Sequence, residues 1–148
     1  MTLPTHKLRR LPRDVHFGLA VLAGPVVWSV IAWQGQRTPA WPEDWTTYLL
    51  IVLLYPVVEE IIFRGFLQEW LWRRTRGRLL LGPLSVANIM AATAFAAAHL
   101  VVHAPTHALA VLLPGLVFGF FRDRYGSILP GALLHCFYNA GWFLLAAN

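Results

Sequence analysis

Six polar residues in an otherwise apolar chain have the types and spacings from which chemistry is made. Glu59 and Glu60 are adjacent in YPVVEEIIFRGFLQEWL, and Arg64 follows Glu60 by four residues. His99 follows Phe95 by four in FAAAH, and Asn139 follows His135 by four in HCFYN. Residues four apart share a helical face, so Glu60 and Arg64 are placed to pair and remain ionised. Glu59 is turned about 100° from Glu60 and has Phe63 at i+4, leaving it without a cation in its own helix. An acidic residue at mid-membrane costs about 2.5–3.5 kcal/mol on insertion scales, so an unpaired one marks a functional site.

A carboxylate beside an imidazole in a restricted cavity can take a proton from water. Here that pair is Glu59 with His99. His135 and Asn139 carry donors for the oxyanion that forms when water attacks a carbonyl. Together these are the parts of a hydrolase with no covalent nucleophile. Cys136, the only cysteine, points about 100° away from its neighbour His135 on a helix and reads as an apolar core thiol. Two other readings stay open at this point. Glu59, His99 and His135 could supply the three protein ligands of a catalytic zinc, with water as the fourth. Intramembrane Glu and His also serve as proton relays, which suits a proton-linked transporter or a non-enzymatic immunity or binding protein.

The elements that must hold these groups read as an all-α, polytopic membrane helix bundle. The chain has 148 residues, 57% hydrophobic and 13% charged, far from an ordinary globular composition. A spanning helix needs about 20 mainly apolar residues, and five stretches qualify: 15–34, 45–72, 84–102, 106–121 and 127–147. They form one transmembrane domain over 1–148, with the fourth stretch short and interrupted by Pro114-Gly115. The net charge of +5 does not point to nucleic acid, because the cations fall in short clusters between apolar runs. Lys7, Arg9, Arg10 and Arg13 precede the first span, Arg73, Arg74, Arg76 and Arg78 follow the second, and Arg122 and Arg124 follow the fourth. Lys and Arg mark cytoplasmic loops, which predicts a cytoplasmic N-terminus and an outer C-terminus. Arg37 lies beside Glu43 and Asp44 on the opposite side, and Trp41, Trp45, Trp70 and Trp72 flank the second span as interfacial anchors. His103 and His107 border the Pro105 turn at the outer face, as a solvated loop.

The three patterns in order, E-E-x-x-x-R, F-x-x-x-H and H-x-x-x-N on three hydrophobic helices, resemble the CAAX protease and bacteriocin-processing family, also called Abi. These are glutamic intramembrane endopeptidases. The resemblance implies that Glu59 and His99 activate water, that His135 and Asn139 form the oxyanion hole, and that Glu60 and Arg64 orient the helix. Phe95 packs around the site. It implies no cofactor, a membrane-anchored peptide or protein substrate, and a place in the bacterial cytoplasmic membrane. Small members are associated with maturation of bacteriocin-like peptides, immunity, or removal of C-terminal tags and lipidated tails.

Overall fold

The computed structural model describes residues 8–35 and 44–146; Lys7, Arg37, Trp41 and Glu43 lie outside them. A short 3-10 turn, Leu11–Arg13, leads into α1, Val15–Gly35. Asp14 caps α1 by accepting the His16 amide at 2.9 Å, which satisfies one of the donors that a helix start leaves unpaired. α2 is a continuous helical run over residues 45–75, opened by Asp44, whose carboxylate accepts the Thr46 and Thr47 amides. It ends where Arg76 and Gly77 enter the left-handed region at φ 52° and 66°.

Strands β1, Leu79–Leu81, and β2, Leu84–Ser85, form a small antiparallel hairpin. Ser85 then caps α3, Val86–His99, by accepting the Asn88 amide. α4, Pro105–Tyr125, starts with proline at its first position, where no amide is needed. α5 is Leu129–Ala146.

Two outcomes differ from the sequence expectations. The third apolar stretch, expected over 84–102, is a helix only over Val86–His99, because the hairpin takes its first residues. The fourth is not broken: α4 runs through Pro114 and Gly115 for 21 residues. Among the described residues two helical segments are long and apolar enough to cross a membrane, Val15–Gln34 and Pro105–Tyr125, with mean hydropathies of 1.9 and 1.3. The outward faces are apolar: on α1, Leu22 is 64% and Trp33 81% exposed. An apolar exterior of this extent fits a bundle surrounded by lipid.

The interior is polar in places where the outside is not. Glu60, Arg64, Gln68, Ser85 and Asn88 are fully buried. α1 leans on α5 through Trp28 and Phe137, ring centroids 4.8 Å apart, and through the Tyr138 hydroxyl, which donates to the Ala20 carbonyl at 2.6 Å. Beneath them Leu11, Phe118, Phe121, Tyr125 and Leu134 form an apolar cluster.

Candidate active site

α2 is an unusual helix where it carries the two glutamates. Tyr55–Glu60 is α-helical, but Leu50–Leu54 before it and Ile61–Gln68 after it are π-helical. Such wide turns concentrate at functional sites. Pro56 explains one consequence. In the first wide turn the Tyr55 amide bonds back to the Leu50 carbonyl, and the next residue, Pro56, has no amide hydrogen to give. The Ile51 carbonyl therefore lacks a partner from its own helix, and Asn139 Nδ2 on α5 donates to it at 3.1 Å. A primary amide has two N–H donors, so the second remains for another acceptor.

The adjacent glutamates are treated very differently. Glu60 has no exposure, and its Oε1 lies 2.9 Å from Arg64 Nη1, the expected i,i+4 ion pair. Arg64 is fully buried as well: Nη2 donates to the Gly115 carbonyl at 3.0 Å, and its guanidinium sits 4.5 Å over the Phe95 ring and 5.5 Å from that of Phe118. A charge removed from water needs this density of partners. Glu59 keeps a third of its side chain exposed, and its close ionic partner is His135, Nε2 to Oε2 at 3.6 Å.

His135 is the residue that joins them. Its Nδ1 is 3.3 Å from Glu60 Oε1 while Nε2 faces Glu59. A carboxylate only accepts, so Nδ1–H donates to Glu60 and fixes the ring orientation. The ring stacks on Phe118, centroids 5.0 Å apart, and meets Phe95 edge-on at 5.7 Å. Close approach of α5 depends on Gly131: a Cβ there would lie 2.8 Å from Glu60 Oε2 and 3.2 Å from Phe118 Cβ.

His99 is half-buried at the end of α3. Its Nδ1 is 2.9 Å from the Phe95 carbonyl, which can only accept, so Nδ1–H donates there and Nε2 is the nitrogen left for other partners. Phe95, 1% exposed, touches three of the site residues: His99 at 4.6 Å, His135 at 5.7 Å, and Arg64 over its face. His103 and His107 do not stand off as a separate loop. Their rings are 4.4 Å apart, and they lie 5.8 and 6.1 Å from the His99 ring.

The structure thus brings Glu59, Glu60, Arg64, Phe95 and His135 into direct contact and sets His99 against Phe95. No hydrogen bond or ion pair links Glu59 to His99 among the described residues; the imidazole on Glu59 is that of His135. Nor are Glu59, His99 and His135 gathered into a group that could hold a metal ion among those residues. Sequence reasoning missed the Gly131 approach and the carbonyls of Gly115 and Ile51 as partners. The four-residue spacing of Gly115 and Gly119 in an apolar helix was the available signal, since small residues so spaced let helices meet closely.

A sequence model of the family described as "Type II CAAX prenyl endopeptidase Rce1-like" matches residues 39–141, which include every one of these site residues. No curated protein and no solved structure matches the chain.

Proposed function

The chain belongs to the Rce1-like family of type II CAAX prenyl endopeptidases, and from that premise we propose a glutamic intramembrane endopeptidase with Glu59 as its base. Membership makes it a peptide hydrolase of a membrane-embedded family, whose substrate is a membrane-associated peptide or protein. The observation that carries the glutamic reading is the division between the two acids. Glu60 is buried and paired, while Glu59 is part-exposed and its one ion pair among the described residues is with an imidazole, that of His135.

In this reading Glu59 removes a proton from a water as the water oxygen bonds to the scissile carbonyl carbon. His99 presents a lone pair at Nε2 and accepts from the same water. The carbonyl becomes an oxyanion, which the second N–H of Asn139 receives; His135 adds a donor at Nε2 when its ring carries both protons. Glu60 acts on the ring of His135 by holding Nδ1. The C–N bond breaks, and the proton held by Glu59 passes to the leaving amine. In this reading the chain is a single domain that crosses a bacterial cytoplasmic membrane five times with its N-terminus cytoplasmic, and the Glu59 turn, roughly 20 Å along α2 from its start, is within reach of a membrane-anchored tail. A C-terminal tag, a lipidated tail or a bacteriocin-like peptide suits that position.

The test incubates purified protein with membrane-anchored peptides and reads fragments by mass spectrometry. Wild type should release a defined C-terminal fragment, and Glu59→Ala and His99→Ala should not. Cleavage that survives both substitutions overturns the assignment. Activity should persist in chelator; loss that zinc alone restores would move the reading to a zinc enzyme held by Glu59, His99 and His135.

A further inference from the structure

A second polar cluster lies nearer the cytoplasmic end, nine residues or roughly 13 Å along α2 from Glu59. Gln68 on α2, Asn88 on α3 and Ser85 at the start of α3 are all fully buried. Gln68 Nε2 donates to the Gly119 carbonyl at 2.9 Å and to Asp123 Oδ1 at 2.7 Å. Ser85 donates to Asp123 Oδ2 at 2.6 Å, and Asn88 Nδ2 donates to the Leu116 carbonyl at 3.0 Å. Both N–H donors of Gln68 and one of Asn88 thus go to oxygens.

Two acceptors are left over. Gln68 Oε1 and Asn88 Oδ1 are buried without a hydrogen-bond partner among the described residues. They also converge: a Cβ on Gly119 would collide with Asn88 Oδ1 and lie 2.9 Å from Gln68 Oε1. Turning either amide over does not relieve them. A flipped Gln68 would aim its oxygen at the Gly119 carbonyl and Asp123, and a flipped Asn88 would face the Leu116 carbonyl, all of them acceptors. Asp123, on the same network, forms no ion pair with Lys, Arg or His among the described residues. Its neighbour Arg122 is committed to Glu69 and to the Arg64 carbonyl.

We propose that the Gly119 cradle is a binding site for a small monovalent cation of the sodium type, held by Gln68 Oε1, Asn88 Oδ1 and the Asp123 carboxylate. Oxygen-only donors select a hard cation. One carboxylate balances one positive charge, whereas a divalent ion would leave a net charge buried among neutral amides. The ligands come from α2, α3 and α4, so the ion clamps together the helix bearing Glu59 and Glu60 and the helix bearing His99. The site does not depend on the chemistry proposed for Glu59.

The test is thermal unfolding of the purified protein in detergent at constant chloride, with sodium replacing choline. Wild type should gain about 3–6 °C when sodium exceeds its Kd by about tenfold, and the gain should go on rising with the logarithm of the sodium concentration. Potassium should give a smaller gain, and Asp123→Asn should lose the sodium-dependent part. In case Asp123→Asn does not fold, sodium-23 NMR on wild type should show excess line broadening that lithium displaces. The same melting temperature in sodium and choline, or an equal sodium gain in Asp123→Asn, or no excess broadening, overturns the proposal and leaves a water in the cradle.

Discussion

Asp14 and Glu59 are both carboxylates at a helix, and the fold uses them in opposite ways. Asp14 is closed off by donors: the Tyr125 hydroxyl at 2.6 Å, Arg124 Nε at 2.8 Å and the His16 amide at 2.9 Å. Burial alone would push its pKa up, but the bonds from Tyr125, the His16 amide and Arg124 outweigh burial and bring it from 3.8 to about 2. Such an acid joins the turn before α1 to the end of α4 and has no capacity left for a substrate. Glu59 meets one imidazole at 3.6 Å and keeps a third of its side chain open. A saturated carboxylate holds structure, and an underbonded one beside an oriented imidazole is free to exchange a proton. Glu60, one residue away, sides with Asp14 in being buried and paired, through Oε1 with Arg64 and His135, although its Oε2 has no hydrogen-bond partner among the described residues.

Substitutions at the two kinds of site should separate accordingly. Among these the largest effect is expected at His135, which touches both glutamates: His135→Ala removes an oxyanion donor and should lower cleavage of a membrane-anchored peptide about 10²–10³-fold. Single-turnover rates would measure it. Arg64→Ala removes the partner of a fully buried carboxylate and should lower stability by about 3–5 kcal/mol, read as unfolding in detergent. A melting temperature equal to wild type would place Glu60 with Glu59 instead of Asp14.

The smallest effect is expected at Asp14→Asn, about 1–2 kcal/mol at pH 7. Its pH dependence has a definite sign. Because the folded pKa is below the unfolded one, the contribution of Asp14 is fully present above about pH 4 and is lost as pH falls toward about 2. Wild type and Asp14→Asn should therefore converge in stability across that window. A difference that stays constant down to pH 2 would mean that Asp14 contributes through packing.

The parts of the site that lie within one helix were legible in the sequence. The Glu60–Arg64 pair followed from a spacing of four, and the lack of a cation for Glu59 followed from Phe63. What crosses between helices was not. His135 was expected to stand over the oxyanion, but its contact with both acids depends on how closely α5 approaches at Gly131. Asn139 was expected to donate to the oxyanion. It also mends the Ile51 carbonyl, a vacancy that follows from Pro56 only when α2 is known to be π-helical there. The continuity of α4 through Pro114 was hidden for a similar reason. Gly115 beside it reads as a break in sequence, yet its bare face lets Arg64 reach the backbone, with a Cβ there only 3.2 Å from Nη2.

The most direct test of this contrast is the cleavage rate of Glu59→Gln in protein whose melting temperature is measured in the same sample. An underbonded base should be dispensable for folding and indispensable for chemistry. The expected result is a melting temperature close to that of wild type with cleavage reduced about 10²–10⁴-fold. Cleavage at the wild-type rate, or a loss of activity that only follows a loss of fold, would contradict the account.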